Sequence, residues 1–242
     1  MLVYGHRGAG GEAPENTIAG CQHAIERGAR YLELDMRLSK DDQLVMIHDD
    51  SVDRTTGEKG KVNTFTTAEL KKMDARQSGA PWPNKRNTGV VTLDEMLDAT
   101  PDIKGYQLEV KTGSSAQMER IAELLAERFS SESSVEGVVI TSSSMTLLQR
   151  LMTLAPHIPR GYISITPNPF PVLDRFKCSL LAMNWSVCNI INLGHARRKG
   201  LHISVWTVND ASVIKNLHRS KVDSVITDYP SMALPLIASL ER

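Results

Sequence analysis

The chain has 242 residues, 41% hydrophobic and 23% charged, with 28 Lys+Arg against 28 Asp+Glu. Balanced charge without a basic stripe argues against nucleic acid as a partner, and no run nears the ~18 apolar residues of a membrane span. The three cysteines, Cys21, Cys178 and Cys188, lack Cys-x-x-Cys spacing and read as reduced thiols. With Met1–Tyr4 running directly into a strand, a cytoplasmic protein is the expectation.

The first strand, Leu2–His6, leads into "HRGAGGEAPENT". Gly8, Gly10 and Ala13 spell a dinucleotide-binding loop, and Glu33 follows ~20 residues on, where an acid would bind ribose. Pro14 falls where the phosphate-binding helix should already be under way, and Glu12 and Glu15 would set negative charge beside a pyrophosphate. The better helix start is Asn16–Thr17, whose side chains suit an N-cap. A dinucleotide-dependent oxidoreductase is thus a weak rival, and the glycines read as a tight turn.

Further strands are predicted at Tyr31–Met36, Tyr106–Lys111, Val138–Thr141, Gly161–Ile165, Leu180–Asn184, His202–Thr207 and Val222–Thr227. Helical patterns at Ala116–Phe129, Met145–Leu154, Ala211–Leu217 and Ser231–Leu240 lie among them. Strands alternating with helices imply parallel βαβ units, and eight units in this length match an α/β fold of the (β/α)8 TIM-barrel type, one domain over residues 1–242. The rhythm breaks after an extended stretch at Leu44–His48. From Asp50 to about Val90 the chain is polar and turn-rich. A structureless loop of that length is improbable, so residues of about 50–90 read as a small inserted subdomain over one barrel end, with a short helix at Thr67–Met73.

In "YLELDMR", strand alternation sends Glu33 and Asp35 one way and Leu34 and Met36 the other. Outward barrel residues must be apolar to meet the helices, so the carboxylates face inward near the strand's carboxyl end. "YQLEVK" repeats the pattern with Glu109 and Lys111. Either stretch alone is most simply explained by salt bridges. Together they would repel unless neutralised, which favours a divalent cation, and all-oxygen donors select Ca2+ or Mg2+, with Mn2+ also compatible. His6 and His48 end their stretches where a barrel places its active site, and two imidazoles permit acid and base roles at once. Arg7 and Lys111 supply cations suited to phosphate oxygens. Trp206 faces inward with Ser204, as a substrate wall or as packing.

Taken in order, "HRG", "APENT", "ELDMRLSKDDQLVMIHDDSVDRTTGEKGKV", "LEVK" and "VWTVN" closely resemble the glycerophosphodiester phosphodiesterases, from about Val3 to Tyr229. The cytosolic bacterial type is the nearest. The resemblance implies a barrel with an insertion after its second strand. It also implies hydrolysis of small-molecule glycerophosphodiesters, such as glycerophosphocholine or glycerophosphoethanolamine, to glycerol 3-phosphate and an alcohol. It places metal ligands on Glu33, Asp35 and Glu109, catalytic histidines on His6 and His48, and phosphate contacts on Arg7 and Lys111. Ser143 stands where an aromatic residue is usual and Arg76 where glycine is common, which leaves the head group open. The chemistry then expected has His6 as base toward the glycerol 2-hydroxyl, a cyclic phosphate, and His48 protonating the departing alcohol; direct attack by water is the alternative. The nearest rival is a phospholipase D acting on lysophospholipids in the same fold. It would need an apolar surface, and no apolar run stands out in the loops.

Overall fold

The computed structural model describes all 242 residues. Nine strands form one sheet: β1 (Leu2–His6), β2 (Tyr31–Leu38), β3 (Leu44–Met46), β4 (Gly105–Val110), β5 (Val138–Ser142), β6 (Arg160–Ser164), β7 (Leu180–Asn184), β8 (His202–Trp206) and β9 (Ser224–Thr227). Eight of them run parallel in a closed ring, because β1 pairs with both β2 and β9. The ninth, β3, runs antiparallel to the end of β2, beyond the ring. The predicted TIM barrel is therefore observed, strand for strand.

The flanking helices are α1 (Ile18–Glu26), α2 (Asp53–Thr56), α3 (Thr67–Leu70), α4 (Leu93–Ala99), α5 (Ser115–Arg128) and α6 (Met145–Leu154). They continue with α7 (Phe170–Arg175), α8 (Ile190–Arg198), α9 (Ala211–Arg219) and α10 (Pro230–Leu240). Helix α1 begins where expected: the Thr17 hydroxyl accepts from the Gly20 N–H at 3.0 Å. The glycines lie well before it. Gly8 takes a left-handed φ of +88°, and a Cβ on Gly5 would stand 2.0 Å from the Gly8 carbonyl, so the chain turns back on itself too tightly for a side chain there. A phosphate cradle at a helix N-terminus is not formed.

Strand alternation sorts the core. Leu32, Leu34 and Met36 point outward and pack with Leu108, Val110 and the apolar faces of α5 and α6. A second outer cluster joins Ile203, Val205 and Val225 to α7, α9 and α10. Inside the ring, Tyr4 packs tilted against Tyr31 with centroids 5.2 Å apart, and above them the Gln107 amide donates across the barrel to the Ser204 hydroxyl at 2.9 Å. The carboxyl end of the barrel lies over this layer.

Residues 50–90 carry α2 and α3 and a small apolar cluster of their own, built on Val52, Val62, Leu70, Ala75 and Val90 against Val45 and Ile47. Two elements in and beside the insertion are shorter than the sequence suggests. Helix α3 ends at Leu70 rather than Met73, and β3 ends at Met46 rather than His48. Ile47 makes one last rung, its N–H donating to the Asp35 carbonyl, and there the ladder ends; the His48 carbonyl accepts from the Arg37 side chain at 2.7 Å instead. His48 thereby lies across the barrel mouth instead of continuing the strand.

Candidate active site

At the carboxyl end of the strands, seven of the eight residues singled out above line one cavity of about 200 Å3: His6, Arg7, Glu33, His48, Glu109, Lys111 and Trp206. The eighth, Asp35, is fully buried beneath them. Parity explains why these side chains meet, since Glu33, Asp35, Glu109 and Trp206 all occupy inward positions of β2, β4 and β8.

One oxygen from each of Glu33, Asp35 and Glu109 lies within 4.8 Å of the others. Lys111 Nζ stands 2.5 Å from Glu109 Oε1 and 2.9 Å from Asp35 Oδ1, and Arg7 Nε is 3.2 Å from Asp35 Oδ2. Three carboxyl groups thus face two cations, and Glu33 is the one without a Lys or Arg partner. Burial, and then the Asp35 charge, push Glu33 up to about 8. Burial acts on Asp35 in the same sense, but Lys111 and Arg7 outweigh it and hold that carboxylate well below the usual range. Glu33 Oε1 is buried and accepts no hydrogen bond, and Asp35 Oδ1 has only the Lys111 ammonium against it. Unsatisfied buried carboxylate oxygens are costly, and an all-oxygen set of this kind suits a hard divalent cation. The residues present therefore fit such an ion.

Each histidine has its own carboxylate. His6 Nδ1 donates to Asp228 Oδ1 at 2.6 Å, which turns Nε2 toward Glu33, 3.8 Å away. Burial lowers the His6 imidazole, yet the Asp228 hydrogen bond and the Glu33 charge leave it above its ordinary value. His48 Nδ1 donates to Asp49 Oδ1 at 2.6 Å. Burial sets its direction: although Asp35 pulls it up, Lys111 and Arg7 help to keep it below the ordinary value. Asp49 is held down to about 2, chiefly by its hydrogen bond from Arg54.

Arg54 belongs to the insertion and ties the site together. Its Nε donates to Asp49 at 2.7 Å while Nη1 and Nη2 grip Glu15 at 2.7 and 2.8 Å. Glu15 in turn accepts from Arg7 at 2.9 Å. Asn16 holds Asp35 from below, giving its amide to Oδ2 at 2.8 Å and accepting the Asp35 N–H at 3.0 Å. Asn209 fixes the other oxygen of Asp228 at 2.6 Å. Sequence reasoning passed over Asp228, Asp49, Arg54, Glu15, Asn16 and Asn209. Asp228 alone left a usable trace there, being the residue that follows a strand neighbouring β1.

The opposite side of the mouth departs from expectation. Sequence offers no apolar run, yet Ile165 and Trp185 stand exposed directly after the paired strands β6 and β7, and Ile190 and Ile191 are 84% and 76% exposed at the start of α8. Ile165 and Trp185 stand singly between polar neighbours and Ile190–Ile191 as an adjacent pair, and all four follow the carboxyl ends of β6 and β7.

Closed barrel, carboxylate cluster and paired histidines define a class: a barrel hydrolase of phosphate esters. The chain belongs to the glycerophosphoryl diester phosphodiesterase family, whose model it matches over residues 6–232, and it is an enzyme of that activity. It is 36% identical to YhdW of Bacillus subtilis (strain 168) over 97% of both chains. It is 32% identical to the glycerophosphodiester phosphodiesterase of Caldanaerobacter subterraneus subsp. tengcongensis (strain DSM 15242 / JCM 11007 / NBRC 100824 / MB4), covering 98% of this chain and 97% of the relative. An Oleispira antarctica phosphodiesterase, solved with its product sn-glycerol-3-phosphate, superposes with a TM-score of 0.88 at 26% identity, over 98% of this chain and 97% of that one.

Proposed function

We propose that the enzyme hydrolyses small glycerophosphodiesters, glycerophosphocholine and glycerophosphoethanolamine among them, to glycerol 3-phosphate and an alcohol by two-histidine acid–base catalysis with one divalent cation, Ca2+ or Mg2+, and Mn2+ as a further candidate. One observation carries this: His6, His48 and the Glu33–Asp35–Glu109 cluster converge on a single cavity.

Glu33, Asp35 and Glu109 hold the cation, which when bound neutralises charge developing on the phosphoryl oxygens and lowers the proton affinity of the glycerol 2-hydroxyl. Arg7 and Lys111 bind the phosphate, and Trp206 walls the substrate. His6, braced by Asp228, accepts the proton of the 2-hydroxyl as that oxygen attacks phosphorus. His48, braced by Asp49, protonates the departing alcohol, so no alkoxide is expelled. The resulting cyclic phosphate is opened by water with the two roles exchanged. A substrate without the 2-hydroxyl separates this route from direct attack by water: full turnover of such a diester sinks the cyclic route.

We read residues 1–242 as one domain with about 50–90 as its inserted subdomain, and place the protein in the cytoplasm on the strength of its three free thiols. No helix is long and apolar enough to cross a membrane. The test of the whole reading is release of glycerol 3-phosphate from glycerophosphocholine, with EDTA and with the cation restored. Activity that ignores chelation removes the metal from the scheme.

A second reading has its own support. The exposed rim of Ile165, Trp185, Ile190 and Ile191 offers an acyl chain an apolar shelf, favouring lysophospholipids as additional substrates. Choline release from lysophosphatidylcholine, measured beside glycerophosphocholine, tests it.

A further inference from the structure

A second cavity, of about 320 Å3, lies between the end of β2, the insertion and the start of α5, and it shares Lys111 with the catalytic cavity. Arg37 lies in its wall. On β2 it is the next inward position after Glu33 and Asp35, so alternation carries its side chain to the barrel mouth. Its Nε donates to the His48 carbonyl at 2.7 Å and its Nη1 to the Thr112 carbonyl at 3.2 Å. Both acceptors are neutral. The neighbouring arginines are neutralised, Arg7 by Glu15 and Asp35 and Arg54 by Glu15 and Asp49, whereas Arg37 forms no ion pair within 4.0 Å. Lys61 lines the same cavity, and the one carboxylate of the wall is Asp50, 3.7 Å from Lys61 Nζ. Arg37, Lys61 and Lys111 line the space; Lys111 is held by Asp35 and Glu109 and Lys61 lies near Asp50, so Arg37 is the cation left without a carboxylate.

Arg37 grips the backbone of His48, the residue assigned to the departing alcohol, so this cavity adjoins the alcohol's side of the phosphate. We propose that it is a subsite for an anionic substituent on that alcohol, making glycerophosphodiesters whose head group carries a carboxylate or a further phosphate the preferred substrates. The inference deepens the phosphodiesterase reading above and rests on it. A guanidinium with no carboxylate partner, next to a second cation, can accept a carboxylate through charge-assisted hydrogen bonds without breaking an existing pair.

Glycerophosphoserine and glycerophosphoethanolamine differ by one carboxylate and form the matched pair for the test. With the cation-loaded enzyme, kcat/KM is expected to favour the serine diester by about tenfold, as one charge-assisted contact allows. Arg37→Gln and Lys61→Gln should each lower the serine-to-ethanolamine ratio several-fold, and Asp50→Asn should raise it. Should Arg37→Gln also disturb the His48 backbone, both rates fall together and the ratio is still read; Lys61 touches no residue of the proposed machinery. A wild-type ratio at or below one, or a ratio indifferent to both cation substitutions, overturns the subsite. Failure to hydrolyse either diester or glycerophosphocholine would instead sink the parent reading.

Discussion

The barrel mouth has two unlike halves. Around β1, β2 and β4 nearly every functional side chain is charged and already paired: Asp228 with His6, Asp49 with His48, Glu15 with Arg7 and Arg54, Lys111 with Asp35 and Glu109. Around β6, β7 and α8 the large side chains open to solvent are apolar, Ile165, Trp185, Ile190 and Ile191, set among exposed Thr166, Asn168, Ser186 and Asn189. One half is an ion-paired frame; the other exposes apolar side chains. The proposed chemistry belongs to the first wall and the proposed acceptance of acyl-bearing substrates to the second.

That division can be broken experimentally, beginning with the charged half. His6→Ala and His48→Ala should each cost on the order of 10²–10⁴ in kcat on glycerophosphocholine; a loss of only a few-fold in either would remove that histidine from proton transfer. Arg54→Met should cost about 10–100-fold, mostly in kcat with KM little changed, because it supports Asp49 and Glu15 rather than touching substrate. Partial rescue of Arg54→Ala by added guanidinium would separate positioning from a folding defect, for which no rescue is expected.

A pH signature follows from Glu33. In the unfolded chain its carboxyl ionises near ~4.3, and in the cation-free fold only at about 8. Across that window the fold keeps a proton that the unfolded chain has lost, so the stability of the EDTA-treated protein falls as pH rises. Cation binding expels that proton and should flatten the dependence. Tm measured from pH 5 to 8.5 with EDTA and with Ca2+ checks both slopes, and parallel curves would contradict the carboxylate site. The smallest effects belong to the apolar half. Ile190→Ser with Ile191→Ser should change glycerophosphocholine turnover less than about twofold and stability by no more than about 0.5 kcal/mol per site. A large loss on that water-soluble substrate would mean that the two halves are not separable.

The charged half was legible wherever the code is local. Alternation in "YLELDMR" and "YQLEVK" is enough to turn Glu33, Asp35 and Glu109 inward, because the strand period of two leaves no other face for them once Leu34, Met36, Leu108 and Val110 claim the helices. The carboxylates that brace the histidines are harder to read, for a different reason in each case. Asp228 is separated from His6 by 222 residues and becomes its neighbour only when the ring closes. Asp49 and Arg54 lie in a polar, turn-rich stretch where no periodicity reveals orientation. The apolar rim was invisible because its members are scattered through the chain, and Ile190 and Ile191 sit on the solvent side of α8, opposite to what amphipathic patterning assigns.

The pairing of β1 with β9 sets the order in which the enzyme can come to life. His6 emerges first in synthesis and Asp228 almost last, so a nascent or C-terminally truncated chain carries the proposed base without its carboxylate partner. On the proposed mechanism, activity reports completion of the ring. The two ends of the polypeptide also meet, the Met1 ammonium lying 2.6 Å from Glu241 on the face away from the mouth. A short peptide joining them, with new ends opened in an exposed loop remote from the site, should give a circular permutant in which the His6 and Asp228 strands are made back to back and the catalytic seam becomes a local contact.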